Sequence, residues 1–208
     1  MCDKYLNSTS KTCKTTIIPN GTDPNIFKEY PKGDKKRIIT YSNWRPHKRL
    51  NSTIDVFKHL DRDDVELVVI GTNDVYDDSS IKYVGKLSNT EIPKYLGSSD
   101  LYLFLSWLDN CPNSVIESIV SNVPVICTNE GGTHEIVKNN GIVVNNDPEY
   151  DLNPCYLYSP PGIYLEHIVN AVNTVLDCNE PLVRNREPYL IENIGKRYED
   201  FMINILDE

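Results

Sequence analysis

At 208 residues and 39% hydrophobic content, the chain can bury a substantial core and fits one domain with appendages. Its 30 acidic residues outnumber 21 basic ones, and the resulting net charge of -9 argues against general binding to nucleic acid or anionic membranes. No apolar run approaches the roughly 18–20 residues that span a bilayer. Met1 to Lys14 is polar and lacks the apolar centre of a secretory leader, so the cytoplasm is the expected location and the sequons at Asn7, Asn20 and Asn51 are expected to stay unmodified. Six widely spaced cysteines (Cys2, Cys13, Cys111, Cys127, Cys155, Cys178) contain no C-x-x-C pair, and the four histidines are equally scattered. Reduced thiols and no structural metal are expected.

In chain order, residues 1–14 read as a polar extension and 15–208 as one α/β domain. Apolar runs predict strands at about 38–42, 65–70, 81–84, 101–105, 124–127 and 142–144. Helices are predicted between them at about 48–60, 89–97, 114–122 and 132–139, followed by longer ones at about 163–177 and 187–206. Leu50, Ile54 and Phe57 fall at helical spacing in the first, and Val115, Ile116, Ile119 and Val120 in the third. This alternation predicts a single doubly wound, Rossmann-like, mostly parallel sheet with right-handed crossovers and helices on both faces. Residues 145–162, rich in Asn, Asp and Pro, read as a surface excursion.

Ser106 to Val137 carries the densest chemistry. It begins at a predicted strand end, where α/β sheets present ligand-contacting loops. Asp109 lies in the loop and Glu117 in the early turns of the following helix. Between them, Asn110-Cys-Pro-Asn113 and Ser114 open a helix whose free N–H groups and dipole attract an anion. A site for a phosphate beside a sugar hydroxyl needs these parts. Ser114-Val-Ile-Glu117 is also a capping-box pattern, in which the glutamate serves a backbone N–H instead. Cys111 has no identifiable catalytic partner.

The segment resembles the carboxylate–seven residues–carboxylate motif of retaining GT-B glycosyltransferases, close to glycosyltransferase family 4. Pro124-Val125, Gly131-Gly132 and Glu135-Ile-Val137 follow in the family's order. Ile17 to Phe27, containing Pro19-Asn-Gly-Thr-Asp23, resembles the family's entry into its C-terminal domain. Tyr41 to Leu50 resembles the loop that carries its phosphate-binding Arg and Lys.

By this resemblance Glu117 accepts hydrogen bonds from the donor ribose hydroxyls, and Asp109 replaces a longer glutamate that reaches the donor sugar. Lys48 holds the diphosphate and stabilises charge on the leaving nucleotide. Asn43 stands where many relatives have Arg, so Arg45 or Arg49 is expected to compensate. Asn110, Cys111, Pro112, Asn113 and Ser114 are expected to bind the donor through their backbone, and Gly85, Lys86 and Leu87 to flank the base. Gly131-Gly132 is expected near the donor pocket, with Trp44 and His134 in packing or surface roles.

The implied function is the donor-binding half of an enzyme that transfers sugar from a UDP-, GDP- or ADP-sugar with retention. No metal or cofactor is expected. By the same resemblance the family's N-terminal acceptor domain is expected to lie outside this sequence, with a dimer partner, another polypeptide or a lobe elsewhere supplying acceptor binding. The alternative is a non-catalytic nucleotide-sugar-binding module, or one subunit of a split glycosyltransferase.

Overall fold

Short apolar runs rich in Val, Ile and Leu suit strands buried on both faces, and six of them form one parallel sheet. The computed structural model describes residues 15–72, 78–146, 153 and 155–206. The expected extension 1–14 lies outside the described residues. The strands are β1 (Lys36–Tyr41), β2 (Val65–Ile70), β3 (Ile81–Gly85), β4 (Leu101–Phe104), β5 (Val125–Thr128) and β6 (Gly141–Val144). Their spatial order is β3-β2-β1-β4-β5-β6. The chain therefore reverses its direction of sheet growth between β1 and β4, where such sheets open a crevice at their carboxyl ends.

Among the described residues there are six α-helices: α1 (Leu50–Lys58), α2 (Ile92–Gly97), α3 (Asn113–Val120), α4 (Thr133–Val137), α5 (Leu165–Asp177) and α6 (Ile191–Leu206). The first five contribute to the core on the sheet's two faces, and α6 buries only Ile194. Alternation along each strand divides the core. Ile38, Leu67 and Leu103 pack with Ile54 and Phe57 of α1 and with Ile168 and Val172 of α5. Ile39, Val68 and Tyr102 face the other way, onto Leu96 of α2, Ile116 and Ile119 of α3, and Ile136 of α4. Each fully buried Ile or Leu contributes about 1.5–3 kcal/mol relative to exposure. The expected doubly wound architecture is what the chain adopts.

Two predicted helices are broken. The one expected over 48–60 is a 3-10 turn, Pro46–Lys48, and then α1, separated by Arg49 in the left-handed region at φ 52°. The one expected over 187–206 becomes a 3-10 turn, Glu187–Tyr189, and then α6, with Leu190 extended between them. Proline near each start permits the tight first turn without losing a needed N–H. Extended Leu190 then pairs with the entry segment. Thr22 N–H donates to the Tyr189 carbonyl (3.0 Å), and Ile191 N–H to the Thr22 carbonyl (3.0 Å).

The described part of 145–162 exposes Tyr156 and Tyr158, as a surface excursion should. It is nevertheless anchored by buried Asn146. That side chain accepts from Tyr164 N–H (2.9 Å) and donates to the Gly162 carbonyl (3.1 Å).

Candidate donor-binding cleft

β1 ends at Tyr41, β2 at Ile70 and β4 at Phe104, and beyond these ends lies an open cleft of ≈ 490 Å³. Gly71 forms part of its wall because the chain passes too close for a side chain: a Cβ there would sit 2.1 Å from the Ser42 carbonyl oxygen. The start of α3 enters from one side, placing Asn113, Ser114 and Glu117 on the cleft. Its opening N–H groups have no carbonyl within the helix to accept from them.

Glu117 does not cap its helix. Pro112 occupies the cap without a side-chain hydrogen bond, so Ser114 already lies within the helix and the capping-box reading is overturned. The Glu117 carboxylate instead accepts from the Tyr41 hydroxyl at 2.5 Å. Burial raises the Glu117 pKa, and the Tyr41 hydrogen bond works against that rise. Tyr41 is itself pushed well above the usual phenol range, first by burial and then by the Glu117 charge. At neutral pH the phenol is therefore a fixed donor, leaving the other carboxylate oxygen for a second donor.

Lys48 reaches the same cleft from the 3-10 turn. Its Nζ ion-pairs with Asp109 Oδ2 and lies 5.8 Å from the centroid of the Phe104 ring. Both partners are about one-fifth exposed (19% and 21%), so water reaches the pair from the cleft while most of each side chain is covered. The Asp109 backbone is held from behind, its carbonyl accepting Gly132 N–H at 2.8 Å. Gly131, at φ 72°, leaves no room for a Cβ, which would lie 2.6 Å from that same oxygen. The Gly131-Gly132 turn thus supports the cleft without lining it. Trp107 N–H donates to the His47 carbonyl (2.7 Å), joining the Asp109 and Lys48 loops directly.

The expected site residues divide in two. Asn43, Lys48, Lys86, Leu87 and Asp109 line the cleft together with Pro112, Asn113, Ser114 and Glu117. Arg45, Gly85, Asn110 and Cys111 lie outside this lining. Arg45 is exposed, Gly85 accepts Gly71 N–H through its carbonyl (2.7 Å), Asn110 packs its carbonyl against Gly132, and Cys111 packs against the core. Arg49 requires a correction. Its guanidinium is buried and makes a two-point ion pair with Glu130 at 2.5 and 3.0 Å, so it does not compensate for Asn43. Residue-by-residue reading missed Tyr41, Asn89, Ile92 and Phe104, all on the cleft. Tyr41 and Phe104 are the last residues of their strands, one residue short of the ends expected from sequence. Trp44 packs against the core and donates to the Ile70 carbonyl at 2.9 Å, as expected of a packing residue. Among the described residues, no three of His, Cys, Asp and Glu gather to hold a metal ion.

The parallel sheet, its reversal point and the cleft there define a Rossmann-like domain of the GT-B glycosyltransferase fold. Residues 22–151 match the family of group 1 glycosyl transferases, and the chain belongs to that family. A segment is 36% identical over 52 residues to TuaC of Bacillus subtilis (strain 168), named as a teichuronic acid biosynthesis glycosyltransferase. That match spans 25% of this chain and 13% of TuaC. The fold is similar to that of HepE from Anabaena in complex with UDP-glucose, with a TM-score of 0.72 at 16% identity. There the similarity covers 97% of this chain and 61% of HepE. It is also similar to the C-terminal domain of the group 1 protein LpcC from Francisella tularensis (TM-score 0.59, 18% identity), covering 86% of this chain and 98% of that domain. A chain of the GtfA/B complex gives a TM-score of 0.76 at 14% identity, covering 99% of this chain and 43% of its own length. No helix among the described residues is long and apolar enough to cross a membrane.

Proposed function

We propose that this domain is the donor-binding half of a retaining, family 4-like glycosyltransferase that takes sugar from a nucleotide-sugar. The observation that carries the reading is the sharing of one cleft by Lys48 and Glu117, with the start of α3 between them. HepE, similar in fold, is a protein that binds UDP-glucose.

In this reading Glu117, oriented by Tyr41, accepts both ribose hydroxyls through its free oxygen. Lys86, Leu87 and Ile92 form the base end of the cleft. Lys48 swings from Asp109 to the diphosphate, an exchange that costs little because the pair is partly solvated. Asp109, freed of its lysine, accepts from a hydroxyl of the transferred sugar. The α3 N–H groups and Lys48 then stabilise charge that grows on the leaving phosphate, which assists deprotonation of the acceptor on the same face. These fixed positive groups supply the charge compensation for which other transferases use a divalent ion. Acceptor binding falls to a second lobe or partner chain.

A panel of UDP-, GDP- and ADP-sugars, read by thermal shift, tests this reading. Ligand at a hundredfold excess over Kd stabilises by about 2.7 kcal/mol, so a true donor raises Tm visibly. Binding that persists unchanged in Glu117→Ala and Lys48→Ala refutes the assignment. The specific departure at Asn43, with Arg45 and Arg49 both outside the cleft, favours a second reading, in which the domain binds the nucleotide-sugar without transferring it. Turnover that is abolished by Lys48→Ala, with candidate partner chains present, eliminates that second reading.

A further inference from the structure

Lys48 and Arg49 are adjacent, yet only Lys48 lies on the cleft. Arg49 adopts φ 52°, a left-handed conformation that costs a side-chain-bearing residue roughly 1–2 kcal/mol and that glycine would adopt freely. What this conformation achieves is visible in the side chain. Nη1 and Nη2 grip the two carboxylate oxygens of Glu130, whose side chain is 1% exposed against 2% for Arg49. Nη2 also donates to the Pro161 carbonyl (2.9 Å), and Glu130 accepts from the Thr128 hydroxyl (2.9 Å). One buried pair therefore joins the Lys48 turn, the end of β5 and the segment that follows β6.

The connection continues to the cleft. Glu130 precedes Gly131-Gly132, whose N–H holds the Asp109 carbonyl, and Asp109 holds Lys48. The path from Lys48 through Arg49, Glu130, Gly132 and Asp109 back to Lys48 is a closed ring. It consists of covalent neighbours, one buried ion pair, one backbone hydrogen bond and one solvated ion pair. Its one partly solvated link, Lys48–Asp109, faces the cleft, and the Arg49–Glu130 link is buried.

We propose that Arg49 and Glu130 are positioning residues for donor binding: their buried pair fixes where Lys48 and Asp109 stand relative to each other, so that Lys48 can leave Asp109 for a diphosphate without the loops moving. This rests on the reading of the cleft as a nucleotide-sugar site. Bidentate geometry matters here because a guanidinium fork sets orientation as well as distance.

The test is a double-mutant cycle on the full chain, with UDP-glucose as probe and GDP- and ADP-glucose as alternatives. Affinity is measured well below each variant's unfolding midpoint, with ligand-detected NMR extending the range for weak binders. Glu130→Gln keeps the shape and one acceptor but removes the charge. It is expected to weaken binding about tenfold in the wild-type background and less than about twofold in Lys48→Ala, where the residue it positions is gone. A merely structural role lowers Tm and gives the same factor in both backgrounds, or no weakening at all; either result overturns the proposal. If Glu130→Gln does not fold, Arg49→Lys runs the same cycle with charge kept and the fork lost. If the wild-type chain binds none of the three probes, the reading of the cleft fails first and the positioning role fails with it. Binding that is abolished by Lys48→Ala but untouched by Glu130→Gln or Arg49→Lys sinks the positioning role alone.

Discussion

Two ion pairs begin from consecutive residues and have opposite characters. Lys48–Asp109 is partly solvated, single-pointed and set on the cleft, whereas Arg49–Glu130 is dry, two-pointed and additionally hydrogen-bonded by Thr128 and Pro161. Partial access of water makes the first less costly to break than the second, as the proposed exchange of Asp109 for a diphosphate requires. Exclusion of solvent makes the second costly to break from one side, because the abandoned charge stays buried. The kink at Arg49 separates them: without it, helix α1 would continue through both residues and place them about 100° apart on one surface.

The largest expected effect tests the dry pair. Arg49→Met leaves Glu130 buried with only a hydroxyl for company, and should lower unfolding free energy by about 3–5 kcal/mol in urea titrations. Lys48→Met should cost less than about 1 kcal/mol by the same measurement. Equal losses would erase the contrast. Next comes donor affinity: Lys48→Ala should weaken nucleotide-sugar binding about a hundredfold, near 2.7 kcal/mol, with little change in Tm. Tyr41→Phe removes the donor that orients Glu117 and should weaken binding by about 1–2 kcal/mol, read by calorimetry.

The smallest effect concerns acidity. Burial raises the Glu117 pKa above its unfolded value, so ionising this group costs native stability. That cost is absent below the unfolded value of about 4.3, grows as pH rises to the folded value, and stays constant above it. Glu117→Gln should therefore be slightly more stable than wild type at neutral pH and equal to it in acid, while losing affinity for the donor. A Tm difference that survives unchanged below pH 4 would assign the effect to packing instead.

The sheet was legible because each strand is a short apolar run between turn formers, and every predicted strand lies within a residue or two of an observed one. That Glu117, Asp109 and Lys48 share one cleft was legible because an ordered motif places them. Arg49 was not: in sequence it is one more cation in a basic run, and its burial depends on Glu130, eighty-one positions away. Nothing local encodes that partnership, and nothing local predicts φ 52° for an arginine. Tyr41 was hidden differently. An aromatic at a strand end reads as core, and its hydroxyl acquires a task only when Glu117 is brought beside it on helix α3.

The bridge between Thr22 and Leu190 has a consequence for how the molecule is made. Asn20, two residues before it, donates to Asn113 at 2.8 Å on the rim of the cleft. A ribosome must deliver residue 190 before that bridge can close, so the earliest-made part of the rim is among the last to be secured. By then all six strands, which end at Val144, have already been made.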